Sequence, residues 1–185
     1  MNTLSPHSVA AGVVTSAARA MPDAMELAIA FQSAGFELAL VGGSVRDLIL
    51  ARPITDLDFT TNATPQQINE VVKSWADAIW DVGIAFGTVG VRRNDFKAEI
   101  TTYRSEIYRD ESRKPEVSFG STLEADLVRR DFTINALAVR LPELEFVDLF
   151  DGVSDLSRKL IRTPREPELS FSDDPLRMMR AARFA

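Results

Sequence analysis

Two aspartates one residue apart, Asp56 and Asp58, lie in a run where Leu57, Phe59 and Thr61 alternate with Asp56, Asp58 and Thr60. That period of two is the pattern of a strand with one wet face, and side chains two apart project from it at roughly 6.5 to 7 Å spacing. The pair can therefore share a divalent ion or hold two adjacent ones. Oxygen-only ligands favour magnesium, which is commonly held by one or two carboxylates together with substrate phosphates. Glu99 can supply a third carboxylate. It stands on a second predicted strand where Phe96, Ala98 and Ile100 point one way and Lys97, Glu99, Thr101 and Tyr103 the other. Taken singly, the same acids also read as solvated side chains on a sheet.

Anion-binding types stand close by. Gly42 and Gly43 fall where a predicted strand turns into a helix, a place where backbone N–H groups are free to meet an anion. Arg46 follows in the first helical turn, within reach either of a phosphate or of Asp47 or Asp56. Further on, LVRRDFTINALAV joins Arg130, Asp131 and Asn135 to an apolar block. There Arg130 can neutralise a triphosphate, and Asp131 and Asn135 can orient a loop or bond a ribose hydroxyl; a helix end with solvated charges is the plainer reading. In DDPLRMMRAARF, Arg177, Arg180 and Arg183 recur every three residues along one helical side. A solvated stripe explains that spacing, yet Asp174 and Arg177 also carry acceptors and donors suited to the edge of a nucleobase.

The elements that must position these residues are legible in outline. Residues 1–20, rich in Ala, Ser and Thr, read as a tail or weak helix. A helix is predicted over 22–34, begun by Pro22 and stopped at Gly35. Strands are predicted at 36–41, 57–61, 87–93, 96–104 and 145–149, with Asn94-Asp95 as a tight hairpin turn. Ser44 is expected to cap a short helix to Ala51, and Thr64-Pro65 to open another reaching Trp75. Residues 105–121, charged and without a steady period, read as a mobile loop, followed by a helix near 123–130 and a mixed segment, 132–141. Asp151-Gly152 turns the chain toward a short helix. The last predicted helix runs from Asp173 to Ala185, capped by Ser172 or Asp173. It has no terminating glycine, so the natural protein is expected to continue.

Composition narrows the function. The 185 residues are 45% hydrophobic and 26% charged, which is ordinary for a folded domain. No apolar run approaches the roughly 18 residues needed to cross a bilayer, and the N-terminus lacks a secretory pattern, so the cytoplasm is the default location and no membrane partner is expected. Absence of cysteine excludes disulfides and thiolate metal sites, and the single histidine, His7, lies in the leader. A net charge of −6 argues against a surface that binds nucleic acid as a whole, so any polynucleotide contact must be local or come from residues outside this chain.

Taken in order, GGSVRD with DLD, EITTYR, RRDFTINALA, FDGVSDL with LIRT, and DDPLRMMRAARFA make the region from Leu38 to Ala185 resemble the bacterial and eukaryotic class of tRNA nucleotidyltransferases and their relatives the bacterial poly(A) polymerases. The resemblance implies an α+β fold, the DNA polymerase β-like nucleotidyltransferase head, with a mixed sheet of about five strands. With the flexible leader read at 1–20, the chain then divides into the head at 21–150 and a hinge with the first neck helix at 151–185. By the same resemblance Asp56 and Asp58 are catalytic and hold the metal, expected to be magnesium, with Glu99 completing the set as the strand pattern suggests; Gly43, Arg46, Arg130, Asp131, Asn135, Asp174 and Arg177, with Arg180 and Arg183 nearby and Gly42 in the glycine turn, are expected to bind the nucleotide. Asp173 stands where the family's base-selecting motif begins with Glu. The implied reaction adds C and A nucleotides to the tRNA 3′ end from CTP and ATP, releasing pyrophosphate, with tRNA gripped mostly by regions absent here. The alternatives are a poly(A) polymerase using ATP only and a non-catalytic nucleotide- or RNA-binding module. No pattern in the sequence sets an oligomeric state.

Overall fold

The computed structural model describes residues 5–54, 57–83, 87–107, 116–119 and 122–184. In chain order the elements are α1 (Pro6–Arg19), α2 (Pro22–Ser33), β1 (Leu38–Val41), α3 (Gly43–Ile49), β2 (Leu57–Thr61), α4 (Pro65–Val72) and β3 (Ala78–Gly83). There follow β4 (Thr88–Arg93), β5 (Phe96–Thr102), β6 (Arg104–Ile107), β7 (Glu116–Phe119), α5 (Leu123–Val128), a 3₁₀ turn (Thr133–Asn135), β8 (Leu137–Leu141), β9 (Glu145–Asp148), α6 (Gly152–Ser157), α7 (Pro167–Asp173) and α8 (Leu176–Phe184).

Seven strands form one mixed sheet in the order β3-β4-β5-β2-β1-β8-β9, and β6 and β7 pair separately. Among the described strand pairs only β2 and β5 run parallel, and α4 lies in the crossover that parallel pairing requires. One face is packed by α1, α2 and α4. Leu40, Phe59, Val89, Ala98, Ile100 and Val139 meet Val14, Leu27, Phe31 and Ile68 there, all fully buried. On the other face α5 covers β1, β8 and β9, where Ala39, Val41, Ala138 and Val147 meet Leu123 and Leu127. The described helices thus leave the β2-β5-β4 part of that second face open, and it is the wet face of β2.

Several expectations need correction. The five-strand sheet is a seven-strand sheet because β3 and β8 were not legible. In β8, LAVRL, four of five residues are buried, so the two-sided packing erases the alternation by which a strand is read. Residues 105–121 were expected to be a loop, but the described part forms the β6–β7 hairpin, with Arg104 opposite Phe119 and Ile107 opposite Glu116. The leader is a 14-residue helix whose Ala10, Val14 and Ala18, one turn apart, enter the main core. Small residues there allow close packing, which composition alone reads as weak helix. His7 sits on Phe146, ring centroids 5.2 Å apart. Ser44 does not cap its helix. Gly42 does, at φ +71, and the Ser44 hydroxyl accepts the Asp58 N–H at 3.1 Å. The last helix starts later than expected, at Leu176, and a separate helix that was not expected, α7, precedes it and ends at Asp173. Asp174, in extended backbone, caps α8 by accepting from the Leu176 N–H at 3.0 Å.

The segment after β9 is tied back to the sheet. Asp148 accepts from the N–H groups of Gly152 and Val153 at the start of α6. A side chain on Gly152 would bring a Cβ to 2.3 Å from the Thr133 carbonyl oxygen. Buried Asp155 accepts from the Thr133 hydroxyl at 2.6 Å and from Arg162 at 2.8 Å.

Replacing Val14, which is fully buried, by Asp forces a charge into the packed face of α1. The expected loss is about 3 kcal/mol, or a Tm drop of roughly 6–12 °C for a chain of this size. Calorimetry checks it; an unchanged Tm would mean that α1 is not part of the core.

Candidate active site

Strand register places the carboxylates. Asp58 and Glu99 are direct partners across the parallel β2–β5 pair, so both project from the open face. Asp58 is exposed and Glu99 half-buried. Asp56 lies outside the described residues. Among the described residues no group of three or more His, Cys, Asp or Glu stands together as a metal cage. The described carboxylates on this face are the Asp58–Glu99 pair, oxygen ligands of the kind that hard divalent cations take.

A cavity of about 530 Å³ opens beside Asp58. Its wall carries seven arginines (Arg46, Arg104, Arg129, Arg130, Arg177, Arg180 and Arg183) against four aspartates (Asp58, Asp126, Asp131 and Asp174), with Gly42, Gly43, Asn135 and Phe184. In a chain of net charge −6 this is a strong local excess of positive charge. Of the described residues picked from the sequence, all but Glu99 line this wall.

The floor of the cavity is built on glycine. Gly42 holds φ +71, which favours a residue without a Cβ, and a Cβ there would stand 2.9 Å from the Arg130 guanidinium. Arg46 takes the ion-pair role with Asp47 and adds a partner that was not expected, Asn135. It donates to Asp47 from Nε and Nη2, each at 3.0 Å, and to the Asn135 side-chain oxygen at 2.5 Å. Asn135 in turn donates to Asp131 at 3.0 Å, and Asp131 accepts from Arg180 of α8 at 2.7 Å. A continuous chain of polar contacts thus joins the glycine turn to the last helix. The Phe184 ring reinforces it, with the guanidinium carbons of Arg46 and Arg183 each 5.1 Å from its centroid and Phe132 edge-on at 5.9 Å.

Arg177 is not part of a solvated stripe. It is buried, donating to Ser170 at 2.5 Å and to the Arg129 carbonyl at 2.6 Å, which uses two of its N–H groups. Arg180 and Arg183 remain exposed on the cavity side.

Asp126, Arg104, Arg129 and Phe184 were not singled out from the sequence. Asp126 is buried and accepts from Arg130 at 2.9 Å, from Arg129 at 3.4 Å and from the Arg104 N–H at 3.4 Å. Burial works to raise its pKa, but the charges of Arg130 and Arg129, with hydrogen bonds from Arg130 and from the Arg104 N–H, prevail and hold the carboxyl below its ordinary value. The i, i+4 spacing to Arg130 was the available signal.

Residues 38–162 match the Poly A polymerase head domain family. The CCA-adding enzyme of Lactobacillus helveticus is 49% identical over 162 residues, which is 87% of this chain and 39% of that enzyme. That of Latilactobacillus sakei is 44% identical over 172 residues, 92% of this chain and 42% of the enzyme. Among solved structures, the Bacillus stearothermophilus CCA-adding enzyme in complex with CTP superposes with TM-score 0.72 at 36% identity, covering 98% of this chain and 39% of that one. A tRNA nucleotidyltransferase complexed with a primer tRNA and an incoming ATP analog gives TM-score 0.68 at 32% identity, over 86% of this chain and 44% of that one. The chain spans about two fifths of the length of the curated relatives it matches.

The depressed Asp126 pKa has a pH signature. An unfolded Asp titrates near 3.9, so the ionised carboxylate's contribution is complete above about pH 5 and is lost as pH falls below 3.9 through the native value. Asp126→Asn is expected to lower stability by about 3 kcal/mol at pH 7, and the gap to wild type is expected to narrow as pH drops from 4 to 2. Urea unfolding across that range measures it; a gap independent of pH would contradict the assignment.

Proposed function

Given that the chain belongs to the Poly A polymerase head domain family, we propose that it is the catalytic head of an enzyme adding C and A nucleotides to the tRNA 3′ end. CTP and ATP are the donors, the terminal ribose hydroxyl is the nucleophile, and pyrophosphate leaves. The observation that carries the reading is the arginine-walled cavity directly beside the Asp58–Glu99 pair. A triphosphate needs concentrated positive charge in a recessed site, and the reacting phosphorus needs carboxylates within reach to hold metal ions.

Asp58 and Glu99, with Asp56, are the residues that would hold magnesium, and two carboxylates on one open sheet face fit an oxygen-preferring cation. When bound, such ions lower the pKa of the attacking hydroxyl and neutralise the leaving pyrophosphate. The protein's own share is placement and charge. Gly42 and Gly43 keep the floor free of side chains, so phosphates approach the backbone closely. Arg130, held on Asp126, and Arg46, held by Asp47 and Asn135, present guanidinium groups already fixed in direction. Donors fixed in this way need little reorganisation as charge builds on the phosphates. Asp131 and Asn135 border the space for the ribose. Asp174 and Arg177, with Arg180 and Arg183 beside them on α7–α8, border the base, and Arg177 keeps three N–H groups beyond the two used in packing. No protein nucleophile is needed, because the hydroxyl attacks the phosphorus directly.

Labelled CMP and AMP incorporation into tRNA lacking its terminus, by the protein as its gene encodes it and with CTP and ATP supplied separately, tests this. Incorporation from both is expected, and AMP alone would point instead to poly(A) synthesis. Asp58→Ala should lower the rate roughly 10³-fold or more with an unchanged circular dichroism spectrum; full activity in that variant would remove the proposed role of the carboxylates.

A further inference from the structure

The open sheet face extends past the carboxylates, away from the arginine cavity, to a feature that nucleotide binding does not use. Strand register sets a row across four strands. Asp58 pairs with Glu99, Glu99 with Gly90, and Gly90 with Trp80 on the edge strand β3. Partners in register share a face, so Trp80 stands on the face of Asp58, three strands and about 14 Å away. Gly90 has no side chain to hold the ring off. A Cβ at that position would lie 2.2 Å from the indole, so the ring is laid across the strand between it and Glu99.

Trp80 has no place in either apolar cluster and is only half-buried. Its neighbour in sequence type, Trp75, is accounted for by packing, edge-on to Phe96 at 5.6 Å on the core side. Beside Trp80, the Lys97 ammonium lies 5.8 Å from the ring centroid, and Lys97 pairs across the sheet with Arg92; both cations are exposed. An aromatic face flanked by cations on an otherwise acidic protein is the footprint of a surface that stacks a base and meets the adjoining phosphates.

We propose that Trp80, with Lys97 and Arg92, is a stacking platform for the unpaired 3′-terminal nucleotides of the RNA acceptor. This rests on the nucleotidyl-transfer reading and deepens it. Entry along Trp80 brings the strand over Glu99 to Asp58, opposite the incoming triphosphate, so acceptor and donor meet at the carboxylates from two sides. At about 14 Å from Asp58 the ring holds a nucleotide upstream of the reacting hydroxyl. It is a positioning residue, with no part in the chemical step. The Lys97 ammonium, on a flexible stem, is free to exchange the ring for a phosphate as the base arrives.

Trp80→Ala is expected to raise KM for tRNA about ten- to a hundredfold while KM for CTP stays within about twofold, and Trp80→Phe, which keeps a ring, to recover most of the loss. In the Trp75→Phe background, where Trp80 is the one tryptophan of this chain, a short single-stranded RNA ending in cytidine should quench its fluorescence. CTP alone should not, and Lys97→Glu should weaken the effect. An unchanged KM for tRNA in Trp80→Ala, failure of Trp80→Phe to recover it, or absence of quenching overturns the platform. Failure of the wild-type protein to incorporate any nucleotide is a different result, which overturns the nucleotidyl-transfer reading while the quenching still reports on RNA.

Discussion

Side-by-side placement of Asp58 and Glu99 across a parallel strand pair is the constraint around which the rest of this fold is arranged. Two like charges directly opposite on neighbouring strands repel, which makes such a pair a natural seat for a cation. Parallel pairing of β2 and β5 cannot be reached by a hairpin. It requires α4 and the β3–β4 excursion between them, and that excursion builds the outer half of the sheet. The packed face supplies stability through α1, α2 and α4, and among the described residues the opposite face is covered by α5 over β1, β8 and β9. The acidic pair is left in the uncovered part, at the edge of a cavity.

The cavity solves a second problem, that of holding seven arginines together without a ligand. Asp126 does so from below, beneath Arg129 and Arg130, and Asp131 from the side, linked through Asn135 to Arg46 and directly to Arg180. Each aspartate neutralises part of the charge and fixes the direction of what remains. The surplus is positive in a chain that is acidic as a whole, so attraction for an anion is confined to one place. Because Arg180 and Phe184 belong to α8, the last helix closes the site and is more than a continuation after it.

What the sequence made legible follows its periodicities. The alternation in β2 and β5 put Asp58 and Glu99 on one face before any coordinates, and Asn94-Asp95 marked the turn that joins Arg93 to Phe96. β8 was hidden because both of its faces are buried, and α1 because alanines and valines that pack closely look like weak helix. Arg177 read as one of a stripe, whereas the break at Pro175 turns it inward to Ser170. Asp126 was passed over because its i, i+4 spacing to Arg130 is ordinary in a charged helix; its importance comes from burial, which only packing determines. The motifs located the site and its chemistry, and the partners of each charge had to be read from the fold.

The account is tested most directly by a crystal structure with CTP and manganese, located by its anomalous signal. It predicts manganese at about 2.2 Å from carboxylate oxygens of Asp58 and Glu99, with the triphosphate on Gly43 and Arg130. Manganese bound elsewhere, with both carboxylates unliganded while CTP occupies the cavity, would contradict it.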